Sequence, residues 1–304
     1  MEGIVLRSTG SFYDVLAEDG SRIICKVRGR IRLEGIRESN PVAVGDRVSF
    51  EKEDDVGAIT AILPRTNHIT RQSVKKKGHT HVLAANVDQA FLIVTVALPR
   101  TSTGFIDRFL VSAESFRIPQ TIVFNKRDLL DDEALEFQEA IADLYHRIGI
   151  ATLAVSAVHD DLQALRQALT GKTTLLAGHS GVGKSTLLNA LSPEINQKVG
   201  DLSDFSLKGK HTTTFAEMFP LDNNTFVIDT PGIKEWAPAD MSDQELSDYF
   251  PEMRIRRQDC KFGARCIHYN EPDCAVLDAV KSGEISITRY ESYLSILSGK
   301  DNRR

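Results

Sequence analysis

Short runs in which apolar and polar residues alternate fill the first 68 positions of the chain. The alternation has the period of a half-buried strand, and turn residues such as Asp19-Gly20 separate the runs. The pattern predicts five strands, at residues 3–6, 12–16, 22–27, 47–51 and 57–63. Five such strands, with a turn leading into an alternating strand at residues 44–50, predict a small barrel of the OB type, which often binds single-stranded nucleic acid. A barrel that binds protein or only packs against a neighbouring domain is the alternative.

Beyond residue 89 the pattern changes to unbroken apolar runs that alternate with helical segments. The predicted strands are residues 90–96, 121–124, 151–155, 173–177 and 225–228, and the predicted helices are residues 106–116, 134–148, 162–169 and 186–191. This alternation predicts an α/β domain with a parallel sheet, whose ligand site lies at the carboxyl ends of the strands. Short helices without a strand pattern follow from residue 243. We therefore expect a multi-domain protein with boundaries at residues 1–68, 69–240 and 241–304.

Composition and charge narrow the class of protein. The chain is 41% hydrophobic and 26% charged, which is typical of globular proteins and excludes wholesale disorder or collagen. No window approaches the ~18 apolar residues of a membrane span, and the N-terminus has no secretory signal pattern. We expect a cytoplasmic protein with no membrane partner. The net charge of −5 gives no overall case for nucleic-acid binding, so any such case is local.

Two local stretches are rich in basic residues. The first is Arg65, Arg71, Lys75, Lys76 and Lys77, and the second is Arg254, Arg256, Arg257, Lys261 and Arg265. Each stretch predicts either a nucleic-acid contact or an ordinary solvated surface, and charge alone does not choose between them.

Residues 178–185 read GHSGVGKS and match the phosphate-binding pattern GxxxxGKS. The segment, called the phosphate loop below, follows a predicted strand and precedes a predicted helix, as the motif requires. Its glycines let backbone N–H groups point at phosphate oxygens, and the helix N-terminus adds a favourable field. Lys184 is expected to reach the β- and γ-phosphates, and Ser185 to bind Mg²⁺. The predicted phosphate-binding residues are Gly178, His179, Ser180, Gly181, Val182, Gly183, Lys184, Ser185 and Thr186.

The segment Asn125-Lys126-Arg127-Asp128, which follows another predicted strand, selects the base. A carboxylate at Asp128 can accept hydrogen bonds from the N1–H and the 2-amino group of guanine together, and adenine offers no such pair of donors. NKxD alone is weak evidence for guanine binding, and it becomes strong evidence in a chain that also contains a phosphate loop. Ser156 and Ala157 are a candidate backbone contact to the guanine O6.

Two further segments suit a γ-phosphate sensor. Asp229 is expected to act on Mg²⁺, usually through water, and the N–H of Gly232 to sense the γ-phosphate. A simple Pro-Gly turn is the alternative. Upstream, residues 212–214 are three threonines, of which Thr213 is taken as a magnesium ligand although the spacing leaves its two neighbours open.

Ile233 stands where a classical switch GTPase has a water-orienting glutamine, so slow intrinsic hydrolysis is expected. His211 is the local candidate for a polar group near the attacking water, and it joins Lys184 as a predicted catalytic residue. A loop histidine that packs or contacts RNA is the alternative.

Three of the four cysteines lie close together beside a histidine, in the order Cys260, Cys266, His268 and Cys274. Three thiolates and one imidazole are the ligand set of a closed, tetrahedral structural zinc site. Reduced structural cysteines without metal are the alternative. Cys25 is interpreted as a small buried hydrophobe.

The order of the motifs is permuted, because NKxD and Ser156 precede the phosphate loop instead of following it. With the barrel, this order and the terminal cysteine cluster, the chain resembles the ribosome small-subunit-dependent GTPase A family over nearly its whole length. The resemblance implies a circularly permuted GTPase that is stimulated by the small (30S) ribosomal subunit in late maturation. The resemblance also supports the catalytic role predicted for His211.

The resemblance further implies GTP as substrate with Mg²⁺, one structural Zn²⁺, and 16S rRNA as a partner; we expect a monomer. The family pattern has one residue fewer between the first two cysteines, which makes Cys260 the least certain ligand unless Gly263 absorbs the extra residue. Two alternatives remain. One is an RNA-binding protein that holds GTP as a structural ligand, and the other is a GTP-dependent scaffold without an RNA partner.

Overall fold

The computed structural model describes residues 1–28, 41–53, 56–72, 80–160, 162–192, 216–222, 224–229 and 241–299. The chain forms two compact units. The first comprises Met1–Phe91, Ala157–Gly178 and Gly183–Ala239, and the second comprises Leu92–Ser156, His179–Val182 and Asp240–Arg304. In the described part of the chain, no helix has the length and apolar character needed to span a bilayer.

Strands and helices are numbered along the chain. The described strands are β1 (Glu2–Ser8), β2 (Tyr13–Ala17), β3 (Arg22–Val27), β4 (Arg47–Glu53), β5 (Val56–Ile62), β6 (His68–Gln72), β7 (Thr80–Ala85), β8 (Gln89–Val94), β9 (Gln120–Phe124), β10 (Ala151–Ala154), β11 (Thr173–Ala177), β12 (Glu217–Pro220) and β13 (Phe226–Asp229). The described α-helices are α1 (Thr103–Ser115), α2 (Asp132–Arg147), α3 (Gln163–Leu169), α4 (Lys184–Leu191), α5 (Asp243–Leu246), α6 (Pro251–Arg256), α7 (Ala275–Lys281) and α8 (Ile287–Leu297).

The N-terminal strands close into a barrel. Their order is β1-β2-β3-β5-β4, and β4 pairs back onto β1. The β3–β5 pair is parallel, whereas the other pairs are antiparallel. Alternate side chains fill the interior, where Val5, Val15, Cys25 and Ile59 have no exposed surface. The predicted OB-type barrel is confirmed, and each strand lies within two residues of its expected ends.

Outside the barrel, the first unit contains β11, β13 and β12. β11 and β13 are parallel, β12 is antiparallel to β13, and Glu217 of β12 pairs with Arg7 of β1. β6 and β7 form a separate antiparallel hairpin. Neither this hairpin nor β12 is predicted from the sequence. The hairpin lies in a stretch interpreted as a basic linker, and β12 has only four residues.

β8 begins in the first unit and ends in the second, where β9 lies between it and β10; β9 and β10 are parallel. Residues 241–299, the C-terminal module, are short helices as predicted. Their core combines the cysteine cluster with apolar residues of α6, α7 and α8 such as Met253, Val276 and Tyr293, and Val111 of α1 belongs to the same core.

Candidate active site and metal centre

The phosphate loop begins where β11 ends and finishes where α4 begins. Gly178 has φ +150° and Gly183, directly before α4, has φ +92°, values that L side chains rarely adopt. Within the first unit, β13 runs parallel to β11 with Asp229 opposite Leu176. Since parallel strands end at the same edge of a sheet, Asp229 lies beside the start of the phosphate loop.

Lys184 is folded back over the beginning of this loop. Its Nζ donates a hydrogen bond to Gly178 O at 2.6 Å. Burial lowers the pKa of Lys184, and the Asp229 carboxylate opposes this shift. Burial likewise raises the pKa of Asp229, and Lys184 opposes that shift. A lysine and an aspartate are therefore desolvated side by side, an arrangement common in functional sites.

The magnesium ligands expected in this unit have an environment that fits the ion. Asp229 Oδ1 is buried and has no hydrogen-bond partner among the described residues. An acceptor left in this state is costly, and a magnesium-bound water is a donor that would satisfy it. Ser185 and Thr186 are exposed in the first turn of α4, where a ligand can reach them.

The far end of α4 is fixed by Arg166 of α3. Its guanidinium donates to Leu191 O at 2.8 Å and to Ala190 O at 2.6 Å. These carbonyls lie in the last turn, where no intrahelical donor remains, and a cation there also interacts favourably with the helix dipole. Arg166 thus holds the helix that carries Lys184 and Ser185. Sequence reasoning missed it, because nothing distinguishes it from a surface arginine.

In the second unit, the NKxD segment meets the middle of the phosphate loop. The buried Asn125 donates from Nδ2 to Val182 O at 2.9 Å, across a sequence separation of 57 residues. Lys126 donates from Nζ to Leu98 O at 2.8 Å. Pro99, which follows Leu98, packs against Gly181 of the phosphate loop. Its Cδ is 3.4 Å from the point where a Cβ on Gly181 would lie. The two motifs and the loop after β8 therefore pack together.

The remaining base-recognition residues follow β9 and β10. Arg127 N donates to Val155 O at 3.3 Å, so the loops at the ends of these two strands are adjacent. Asp128 is exposed and Ser156 is buried. Ala157 belongs to the first unit and is half-buried.

His179 of the phosphate loop stacks on an aromatic ring of α1. The ring centroids of His179 and Phe105 are 3.5 Å apart, with the planes inclined by 31°. Sequence reasoning missed Phe105, because in the sequence it is one apolar position in a predicted helix. Three predicted residues, His211, Thr213 and Gly232, lie outside the described residues.

The four predicted zinc ligands converge in the C-terminal module. Cys274 Sγ lies 3.7 Å from Cys266 Sγ and 3.8 Å from Cys260 Sγ, and His268 Nδ1 lies 3.4 Å from Cys274 Sγ and 3.6 Å from Cys260 Sγ. A tetrahedral zinc ion at about 2.3 Å from sulfur and about 2.0 Å from nitrogen separates two sulfurs by about 3.8 Å, and sulfur from nitrogen by about 3.5 Å. The donor set and its spacing fit zinc. Gly263, with φ +50°, lies in the turn that accommodates the longer loop after Cys260.

Aromatic hydroxyls and a carboxylate hold the backbone around the cluster. Tyr290 donates to His268 O at 2.7 Å, and Tyr293 donates to Ile267 O at 2.6 Å. Glu271 accepts the backbone N–H of Ile267 at 2.8 Å. Burial raises the pKa of Glu271, but bonds from this and neighbouring backbone N–H groups bring it below the usual value. The ligand loop is thus ordered by groups outside the ligand set.

The basic stretch in this module is largely compensated by acids. Four of its five residues form ion pairs: Arg254 with Glu114 (2.7 Å), Arg256 with Glu284 (2.6 Å), Lys261 with Asp273 (2.7 Å) and Arg257 with Asp248. Arg265 is exposed and has no ion-pair partner within the part of the chain that the structure describes. Charge alone therefore favours a solvated surface here over a nucleic-acid contact.

The other basic stretch is only partly described. Arg65 is paired with Asp46 through two hydrogen bonds of 2.7 and 2.8 Å, so it is structural. The side chain of Arg71 and residues 75–77 lie outside the described residues.

Comparisons with known proteins cover the whole chain. The RsgA N-terminal domain profile matches residues 2–59, and the RsgA GTPase profile matches residues 62–238. The small ribosomal subunit biogenesis GTPase RsgA of Bacteroides fragilis is 47% identical over 303 residues, which are 99% of this chain and 97% of that protein.

Two solved structures are also similar. The crystal structure of YjeQ from Thermotoga maritima is 35% identical with a TM-score of 0.78 and covers 100% of this chain and 99% of its own. The crystal structure of YloQ, described as a circularly permuted GTPase, is 32% identical with a TM-score of 0.74. The match covers 100% of this chain and 96% of the YloQ chain.

Proposed function

The chain belongs to the RsgA GTPase family, and from this membership we propose how its residues serve a GTPase cycle on the small ribosomal subunit. The protein is a circularly permuted GTPase that hydrolyses GTP with Mg²⁺ and acts in small-subunit biogenesis. An RNA-binding protein that keeps GTP only as a structural ligand is not favoured.

GTP binding is assigned to the loops at the carboxyl ends of the strands. The phosphate loop and Thr186 take the phosphates, with Lys184 on the β- and γ-oxygens. The observation that carries this assignment is the half-buried Lys184, which donates to Gly178 O and interacts electrostatically with Asp229, because a partly desolvated lysine aimed at the loop is ready to exchange Gly178 O for a phosphate oxygen.

Guanine recognition is assigned to Asn125, Lys126 and Asp128, with Ser156 and Ala157 near the O6. The hydrogen bond from Asn125 to Val182 O supports this role, because it ties the base loop to the phosphate loop. The exposed Asp128 carboxylate remains accessible to the paired donors of guanine.

Magnesium, when bound, neutralises charge that develops on the β- and γ-phosphate oxygens. Ser185 and Thr213 are its proposed ligands, and Asp229 accepts from a water of its shell. His211 is proposed to orient the attacking water, and Gly232 N–H to sense the γ-phosphate. Lys184 stabilises charge in the transition state.

One structural zinc is proposed in the C-terminal module, held by Cys260, Cys266, His268 and Cys274. The support is the tetrahedral spacing of the four donor atoms, all of which lie within 4.8 Å of one another. A site with four protein ligands has no open position, so its role is to stabilise the fold.

The proposed partners are the 30S subunit and its 16S rRNA, which the protein binds as a monomer in the cytoplasm. The barrel supports an RNA contact through Phe12, which is 41% exposed with Lys26 Nζ 4.7 Å from its ring centroid. An exposed aromatic ring beside a cation suits a single-stranded base. In the C-terminal module, Tyr269 and Arg265 are each exposed.

GTP turnover titrated with purified small and large subunits tests this function. Small subunits should raise turnover by orders of magnitude and large subunits should not. Lys184→Ala should lower stimulated kcat by about 10²–10³-fold, because it removes a donor to the transition state. Lys172→Ala is the matched control, since this lysine donates to Gln89 at 3.0 Å and has no assigned role in the site. Turnover that ignores small subunits would refute the proposed function.

A further inference from the structure

Helix α1 of the second unit is packed on more than one face. Nine of its 13 residues are buried, including the charged Asp107. A helix advances about 100° per residue, so Asp107 and Glu114 lie nearly opposite Phe105, and Val111 lies about 120° away from it. The two faces have different neighbours.

One face of α1 meets the phosphate loop. Phe105 is 3% exposed, and its ring lies 3.5 Å from that of His179, measured between centroids. The N–H of Phe105 is held by the Ser102 side chain at 3.3 Å, which caps the helix. The ring is therefore fixed at the first turn of α1 and has little freedom to follow the loop if the loop moves.

The opposite face of α1 meets the C-terminal module. Arg289 of α8 donates from one terminal nitrogen to Asp107 Oδ1 at 2.5 Å and from Nε to Glu252 at 2.7 Å. Tyr145 donates to the same Asp107 oxygen at 2.7 Å. Arg289 is 1% exposed and Asp107 is fully buried, and the guanidinium lies 4.6 Å from the Phe250 ring centroid.

Further contacts join α1 to the module. Glu114 pairs with Arg254 at 2.7 Å, and Val111 packs into the core of the module. Arg108, about 60° from Phe105 around the helix, donates to Ser295 of α8 at 3.2 Å. The module therefore holds α1 over most of its length, and it is not attached at a single point.

We propose that Phe105 is a positioning residue for the GTPase reaction, which sets the phosphate loop through His179 and couples it to the C-terminal module through the Asp107–Arg289 pair on the same helix. This connection between nucleotide and module is separate from the segment that joins Asp229 to the module along the chain. It rests on the proposed function only in requiring that the phosphate loop binds GTP.

The coupling follows from the stiffness of a short, buried helix. A displacement of the phosphate loop must either break the His179–Phe105 stack or move α1, and moving α1 strains a buried ion pair that water cannot replace. Nucleotide that fixes the loop should then stabilise the module, and by linkage the docked module raises nucleotide affinity by the same factor.

Two measurements on the full-length protein test the proposal. Fluorescent GDP and a fluorescent non-hydrolysable GTP analogue give affinities, and hydrogen exchange gives the protection of α8 with and without saturating nucleotide. In the wild type, nucleotide should slow exchange in α8. Phe105→Leu should lower the affinity for both nucleotides about fivefold or more. It should also remove the nucleotide-dependent protection of α8, even at saturating nucleotide.

Leu110→Val is the matched control, because Leu110 lies on the same helix and is also 3% exposed. It should lower stability and leave nucleotide affinity and the nucleotide-dependent protection within twofold of wild type. If Phe105→Leu does not fold, Phe105→Met, which also lacks the ring, takes its place.

Three results would overturn the proposal: wild-type affinity in Phe105→Leu, no nucleotide effect on α8 in the wild type, or equal losses in Leu110→Val. A wild-type protein that binds no guanine nucleotide would contradict the proposed function itself, and this proposal with it.

Discussion

Lys126 shows how a single residue fixes the base-recognition loop. Its φ of +64° lies in the left-handed region, which costs a side chain of this type about 1 kcal/mol or more. The hydrogen bond from its Nζ to Leu98 O and the neighbouring bond from Asn125 to Val182 O hold the residue there. The backbone turn that follows presents Asp128 to solvent at the carboxyl edge of β9.

Asp128→Asn should reduce the preference for GTP over ATP. The substitution replaces one of the two carboxylate acceptors by an amide donor, and loss of a charge-assisted hydrogen bond costs about 1.5–3 kcal/mol, or about 10- to 150-fold in affinity. Competition between fluorescent GDP and each triphosphate measures the preference. Asp132→Asn, an exposed aspartate at the start of α2, is the control and should change nothing. An unchanged preference in Asp128→Asn would show that this motif does not recognise guanine.

Helices and strands with a local pattern are largely predictable from the sequence. Strand β11, residues Thr173–Ala177, lies where it is expected, because its apolar run and its following glycine are both local features. Helix α1 begins three residues before its predicted start at Ile106. The apolar period marks positions inside the helix, whereas the helix begins directly after its cap, Ser102.

The elements missed by sequence analysis are those that depend on distant partners. β12 has four residues and pairs on both edges, with β13 and with β1. No short window contains that information. Likewise, the pairing of Arg254 with Glu114, 140 residues away, is invisible in the local charge pattern that suggested a basic patch. The His179–Phe105 stack was missed for the same reason.

The ion pairs between α1 and the C-terminal module should differ greatly in their contribution to the free energy of unfolding. Asp107→Asn leaves Arg289 buried without its full counter-charge and should lower the free energy of unfolding by about 3–5 kcal/mol. Glu114→Gln is the matched control, since Glu114 pairs with Arg254 where the two side chains are 24% and 46% exposed. It should cost at most about 1 kcal/mol.

Urea unfolding followed by helical circular dichroism measures the difference between these two variants. Equal losses in both would show that burial does not set the strength of these pairs. The comparison also tests whether the module is held to α1 chiefly at Asp107.

At the scale of the whole molecule, the two ends of the chain are stabilised in different ways. The barrel closes its own hydrogen-bond ladder and has a core of fully buried residues such as Val5, Val48 and Ile59. In the C-terminal module the helices are short, and the proposed zinc ligands are themselves part of the core. A unit this small, with metal ligands inside its core, ordinarily depends on the metal for part of its folding energy.

Removal of zinc should therefore unfold the C-terminal module and leave the barrel folded. Chelation removes the metal ion and Cys274→Ser removes one of its ligands; either change should free Tyr290 and Tyr293 from the backbone carbonyls that they now contact. Loss of the module also takes Arg289 away from Asp107, so nucleotide affinity should fall together with the helical signal. Elemental analysis should find one zinc per chain in protein purified without chelator, and hydrogen exchange should show unprotected α7 and α8 after chelation.

Cys25→Ser separates loss of zinc from loss of a buried thiol. Cys25 has no exposed surface and lies in the barrel, outside the cluster, so this variant should lose some stability and retain one zinc and full nucleotide affinity. Absence of zinc in the wild type would refute the metal site. If the chelated protein keeps α7 and α8 protected, packing against α1 suffices to fold the module. If it loses the module and still binds nucleotide as before, the module does not support the phosphate loop.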